Sequence, residues 1–397
     1  MKRKLLIVSH GLELGGAERS LIGLLDALDP EIWEIDLFLL RHEGELMGAV
    51  PTYVNLLPAI PAYTVLARPM KETLQEGHFL LTAARLVGKI AAFFYTKRHH
   101  HCESGVSLEY SHKFTCSLMP KIHPHKTYDL AISFLTPHYF VAEKVVAKKK
   151  IAWIHTDYAK VQVNHSSELA MWDRYDHIAS ISNAVTESFL STFPELRNKI
   201  VLIENILPEK LIRQQALEEI HDMPRMADEK ILLSVGRFCH AKNFDNVPWV
   251  CKELLEAGIR VKWYLIGYGP DEDLIRSKIA EAGMEEHVII LGKRQNPYPY
   301  IAACDLYVQP SRYEGKAVTV REAQMLGKPV VITRYVTSSS QLEDGVDGLI
   351  VPMDNEGCAK GIAALLADSV KMECFTKECV ARDYANVGEI EKIPVNI

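Results

Sequence analysis

The sequence predicts an α/β protein made of two Rossmann-like, doubly wound domains. Three observations lead there. Short apolar, β-rich runs alternate with helical patterns along most of the chain. The alternation falls into two separate series. The length, 397 residues, exceeds what a single core usually organises. Strands of four to six residues alternating with helices imply parallel sheets with right-handed crossovers.

The first series opens with a strand at Lys4–Ser9, a glycine loop and a helix over about Glu18–Leu28. Strands follow at Glu34–Leu40, Leu130–Phe134, Ile151–Ile154 and His177–Ser182. Thr73–Lys97 reads as helical, with apolar residues on one face and Arg85, Lys89 and Lys97 on another. His99–Gly105 reads as a loop. The second series starts near Lys230, with strands at Ile231–Val235, Val261–Ile266, His287–Leu291, Asp305–Gln309 and Pro329–Thr333. Helices are expected over Phe244–Ala257, Asp271–Ala282 and about Ala317–Leu326. The join is placed between Asn205 and Asp228, where Pro208, Pro224 and charged residues cluster. The expected domains are 1–205 and 206–375, with 376–397 returning to the first.

Composition narrows the class. Hydrophobic residues make up 48% and charged residues 24%, as in water-soluble globular proteins. The eight cysteines are scattered without a CxxC pair, which favours reduced, buried thiols over disulfides or zinc. The apolar run Leu5–Val8 is too short for a secretory signal, and no uninterrupted apolar stretch approaches the ~20 residues of a span. A cytoplasmic protein is therefore expected. The net charge of -6 hides an asymmetry. Residues 85–150 carry eleven Lys/Arg against four Asp/Glu, and seven histidines besides. Such a segment suits either a solvated face or an anionic membrane surface. No nucleic-acid recognition motif accompanies it.

In open parallel sheets, ligands bind beyond the carboxyl ends of the strands. Two facing sheets would place the site in the cleft between them. Three strand-end segments carry suitable chemistry. In Gln309–Glu322 a strand ends, Glu314 and Gly315 form a turn, and a helix begins. The backbone N–H groups near Lys316, Ala317 and Val318 are helix-terminal donors suited to a diphosphate. Glu314 and Glu322, eight residues apart, can accept hydroxyl hydrogen bonds on either side. In Ser234–Asn243, Gly236 ends a strand and Arg237 and Lys242 place two cations in one strand-to-helix loop. In His10–Glu18, Gly15 and Gly16 let backbone amides approach a ligand, and the absence of GxGxxG argues against a dinucleotide fingerprint. Taken singly, each segment also has an ordinary structural explanation. The carboxylates of Asp271 and Asp273, a D-x-D, read as helix-capping acids rather than metal ligands.

In their order, these segments resemble glycosyltransferase family 4, retaining enzymes of the two-Rossmann GT-B type. The resemblance rests on Glu314 and Glu322, on Pro310-Ser311, and on the run Leu326–Val331. It implies transfer of a sugar from a nucleotide-diphosphate donor, a UDP-sugar, to a hydroxyl of a glycan or lipid-linked acceptor, without a metal or further cofactor. It also implies roles. Glu314 would contact the donor sugar and Glu322 the ribose. Arg237 and Lys242 would neutralise the diphosphate, with Gly16 against the phosphates. His155, at a strand end, would face the sugar, and Gly292, Lys293 and Arg294 would read the base. Lys316-Ala317 stand where the family usually carries an aromatic and a glycine, which bears on donor choice. A sugar-nucleotide epimerase and a non-catalytic nucleotide-sugar-binding module are the alternative readings.

Overall fold

A computed structural model describes residues 2–13, 15–100, 105–314 and 317–394. The chain divides into two compact units. The first is Met1–Pro208 together with Asn386–Ile397, and the second is Glu209–Ala385.

The first unit holds a seven-stranded, all-parallel sheet in the order β3-β2-β1-β4-β5-β6-β7. Its strands are β1 (Arg3–Ser9), β2 (Trp33–Leu39), β3 (Asn55–Leu56), β4 (Tyr128–Ser133), β5 (Ala147–Ile154), β6 (His177–Ser180) and β7 (Ile200–Leu202). In β1, Leu5, Leu6 and Ile7 are wholly buried in sequence. A strand covered on both faces needs such a continuous apolar run. The returning Asn386–Ile393 stretch is tied in where Glu389 Oε2 accepts from the Glu204 backbone N–H at 2.9 Å.

The second unit holds a six-stranded parallel sheet ordered β10-β9-β8-β11-β12-β13. The strands are β8 (Lys230–Val235), β9 (Val261–Ile266), β10 (Val288–Gly292), β11 (Leu306–Gln309), β12 (Val330–Thr333) and β13 (Leu349–Val351). Each sheet therefore changes direction once, between β1 and β4 and between β8 and β11. These switch points are where open α/β sheets bind ligands.

Several sequence expectations are corrected. The second unit runs on to Ala385, past the expected boundary at 375. Phe375 and Cys379 of the Ser369–Ala381 helix are each 1% exposed, the first in that unit's core and the second beside the Lys328 and Asp347 carbonyls. The Thr73–Lys97 helix is two helices, Met70–Gln75 and Phe79–His99, broken at Gly77 with φ +85°. In the second of these helices the expected grouping of Arg85 with Lys89 and Lys97 on one face is corrected, since Arg85 is buried and the two lysines are exposed. Arg85 turns inward and donates to the carbonyls of Arg68 (2.9 Å), Leu66 (3.3 Å) and Val65. Most of the helix's large apolar residues face outward, Leu81 excepted. The Phe79–His99 helix is long and apolar enough to cross a membrane by length and composition alone, although polar residues interrupt it. The short strands β3, β7 and β13 were not legible, being two or three residues long.

The loop after β9 packs directly on the loop after β8. A Cβ on Gly267 would stand 1.9 Å from the Gly236 carbonyl oxygen, so only glycine fits. Gly267→Ala should therefore lower stability by about 1–3 kcal/mol in urea unfolding. Gly48→Ala, where a Cβ meets nothing within 4 Å, serves as the neutral control.

Candidate functional site

The switch point of the second sheet brings together two of the segments singled out above. Gly236 follows β8, and the stem of Lys242 lies against it, its Cε 3.3 Å from where a Cβ would be. Glu314 follows β11. Lys242 Nζ donates to Glu314 Oε1 at 2.5 Å. The same oxygen accepts from Ser311 Oγ at 2.6 Å and from Gln309 Nε2 at 3.3 Å. Among the described residues, none of these bonds goes to Glu314 Oε2. Gln309 is itself held, its Oε1 accepting from Tyr307 (2.8 Å) and Thr319 (3.3 Å). Arg237 is exposed in the β8 loop.

Residues that the sequence did not single out staple the two loops. Arg312 donates to both carboxylate oxygens of Asp245, at 2.9 and 2.7 Å, and to the His240 carbonyl at 2.7 Å. The Arg312 backbone N–H donates to the Ala241 carbonyl at 2.8 Å. Asn243 is 3% exposed, and its Nδ2 donates to the Pro310 carbonyl at 2.9 Å. Asn243 takes φ +59°, a left-handed conformation that asparagine tolerates better than most side chains. The only sequence signal for this staple was the charge of Arg312 and Asp245 in loops whose pairing requires the fold.

The other expected residues fall as follows. Glu322 is wholly buried on the Val318–Met325 helix, and its Oε1 accepts from Tyr298 at 2.9 Å. It makes no bond with Glu314. The expectation of an unpaired donor at Ala317 is corrected. Its N–H donates to Gln341 Oε1 at 2.7 Å, because a buried amide needs a partner. Val318 is the first helical residue. Gly315 and Lys316 lie outside the described residues. Gly292 (φ +74°) ends β10, and exposed Lys293 stands over the Tyr268 ring at 5.2 Å. Arg294 is engaged by Asp222 and by Tyr300 Oη (3.0 Å). Asp271 occupies the N-cap position of the Glu272–Ala282 helix but makes no side-chain cap bond. Among the described residues, no group of three or more His, Cys, Asp or Glu is placed to hold a metal.

Gly15, Gly16 and His155 belong to the first unit. Gly15 precedes the Gly16–Ala27 helix, and a Cβ on it would meet Glu18 Oε2 at 2.0 Å. His155 follows β5, with its ring 4.7 Å from that of Phe134. Burial lowers its pKa to about 4, so the imidazole is neutral near pH 7. It can donate or accept a hydrogen bond there, but it carries no charge. Its Nε2 is buried without a hydrogen-bond partner.

A polar cavity of about 110 Å³ in the first unit was missed. Glu109, His112, His138, Tyr158 and Glu168 line it. Glu109 Oε1 accepts from Tyr139 (2.5 Å) and Ser167 (2.6 Å), and Glu168 Oε2 accepts from Tyr158 (2.9 Å). Burial pushes the Glu168 carboxyl up to about 7. These residues come from separate elements and share no sequence spacing.

Residues 218–379 match the family model described as Glycosyl transferases group 1. Among relatives, the chain is 27% identical over 226 residues to the Campylobacter jejuni N-acetylgalactosamine-N,N'-diacetylbacillosaminyl-diphospho-undecaprenol 4-alpha-N-acetylgalactosaminyltransferase, covering 54% of this chain and 60% of that one. It is 27% identical over 263 residues to the Erwinia amylovora amylovoran biosynthesis glycosyltransferase AmsK, covering 58% and 64%. The chain thus spans about three fifths of the length of these relatives. Anabaena Alr3699/HepE, solved with UDP and glucose, shares the fold with a TM-score of 0.59 at 16% identity, covering 99% of this chain and 97% of that one. TarM does so with a TM-score of 0.65 at 13% identity, covering 100% and 99%. The fold is the two-Rossmann-domain fold of these structures.

Glu168 supplies a pH test. Its folded pKa of about 7 lies above the ordinary 4.5. Its contribution to stability is complete below pH 4.5 and is lost as pH rises through 7. Relative to Glu168→Gln, the wild type should lose about 3 kcal/mol across that window in denaturant titrations. A constant difference between the two would contradict a buried neutral carboxyl.

Proposed function

We propose that the chain is a retaining glycosyltransferase that moves a sugar from a UDP-sugar to a hydroxyl of a lipid-linked or other glycan acceptor. The observation that carries this reading is the Lys242–Glu314 contact at the β8/β11 switch point. It sets a cation beside a carboxylate where the fold binds nucleotides. The group 1 family match over the same unit and the names of the relatives support it.

In the proposed reaction the acceptor oxygen bonds to the anomeric carbon as the bond to the diphosphate breaks. The acceptor proton passes to the departing phosphate oxygen on the same face. Charge therefore grows on the diphosphate, and stabilising it is the largest catalytic contribution. Lys242, Arg237 and the start of the Val318–Met325 helix supply that stabilisation, so the reading needs no metal. Glu314 Oε2 takes the sugar hydroxyls while Oε1 stays with Lys242. Glu322, held by Tyr298, takes the ribose. Gly292–Arg294 flank the base. His155, neutral through burial, serves as a hydrogen-bonding group toward the sugar. The seven described cysteines are free thiols, in keeping with work on the cytoplasmic side of a membrane.

Two measurements test this. Calorimetry with UDP should show at least about tenfold weaker binding when Arg237→Ala and Lys242→Ala are combined, because charge-assisted contacts to phosphate are lost. Unchanged affinity would refute the diphosphate site. Glu314→Gln should keep UDP binding within about threefold while transfer falls about a hundredfold or more. Near-normal turnover would remove Glu314 from the sugar site.

A further inference from the structure

The Phe79–His99 helix faces the wrong way for a protein surrounded only by water. Its exposed stripe is Phe79, Leu80, Leu86, Val87, Ile90, Phe93 and Phe94, recurring at helical spacing. Leu80 is 74% exposed, and Phe93 and Phe94 are 62% and 64% exposed. The opposite face, turned to the protein, holds Leu81, Thr82, Arg85, Gly88 and Ala92. Gly88 lets the helix approach closely: a Cβ there would lie 2.9 Å from the Tyr110 carbonyl oxygen on the Val106–Cys116 helix. Arg85 is bonded to three backbone carbonyls. Leu81 and the polar and small residues thus fix the helix to its unit, and most of its large apolar side chains are presented outward. On the neighbouring Val106–Cys116 helix, Leu108 is 54% exposed as well.

Charge identifies the occupant. The Phe79–His99 helix has no Asp or Glu, and Lys89, Lys97 and Arg98 are exposed on it. The one acid of the Val106–Cys116 helix, Glu109, is buried against Tyr139 and Ser167. This also corrects the expectation of one basic face over 85–150. Arg85 is buried, Lys126 is paired with Glu34 and Asp36, Lys148 with Asp129 and Lys149 with Asp176. Among the described residues, exposed cations that remain include Lys89, Lys97 and Arg98 on the helix itself and Lys113 on the neighbouring Val106–Cys116 helix. A second copy docking by the same face would set lysine against lysine. Anionic lipid headgroups complement both features at once.

We infer that the Phe79–His99 helix lies in the plane of an anionic bilayer, with its Phe, Leu and Ile stripe inserted at the boundary between headgroups and acyl chains. It is long enough to span, but Arg85 and Gly88 hold one whole face against the unit, and only a stripe is left for lipid. The docking stands independently of the transfer reaction, and its test uses no substrate.

The test is co-sedimentation of the full chain with phosphatidylcholine vesicles, with and without phosphatidylglycerol. The protein should bind the phosphatidylglycerol vesicles preferentially. Phe93→Glu with Phe94→Glu should cut the bound fraction about tenfold. Melting should be unchanged, both side chains being exposed. Lys89→Glu, Lys97→Glu and Arg98→Glu together should abolish the anionic preference. A Phe93→Trp variant should shift its emission to the blue on these vesicles, with stronger quenching by nitroxides near the headgroup than at the chain ends. Stronger quenching from the chain ends would overturn the in-plane placement. Equal binding to neutral vesicles, no vesicle binding, or a dimer that the Phe93/Phe94 changes dissociate would overturn the docking itself.

Discussion

The contact between Lys242 and Glu314 ties together the loops after β8 and β11 of the second unit. The two side chains are 20% and 10% exposed, so both charges are largely removed from water. Losing one partner would leave the other charge only partly compensated in a half-buried setting. The loops after β8 and β11 must therefore keep a fixed separation. Arg312 on Asp245 and Asn243 on Pro310 provide this. Gln309 and Ser311 hold the same carboxylate oxygen, Oε1, that meets Lys242. Positioning and charge neutralisation come from the same cluster, which is the kind of preorganisation that transfer chemistry requires.

The first unit solves a different problem. Its cavity gathers carboxyls, imidazoles and phenols in a low-dielectric setting, where the charged forms are unfavourable. His112 and His138 are pushed down to about 3 and Glu168 up to about 7. Near neutral pH the imidazoles are thus uncharged.

The Phe79–His99 helix shows that a helical period identifies two faces but does not say which face meets the protein. The usual inference assigns the apolar face to the core, since water is assumed outside. Here Gly88 and Arg85 decide otherwise. A close helix-helix approach and three waiting carbonyls require the small and polar face inward.

The sequence by itself determined the two-series α/β architecture, most strand positions, and the strand-end loops that hold Arg237, Lys242 and Glu314. These follow from local patterns, because apolar runs and glycine turns act over a few residues. Tertiary structure alone decided that Lys242 meets Glu314, 72 positions away, and that Arg312 staples Asp245. It also decided that Gln341 occupies the Ala317 amide, and that Glu109 and Glu168 share a cavity. Each of these depends on which strands become neighbours at the switch points or on which helices pack together. Strand order is set by long-range burial, and no spacing in the chain encodes it.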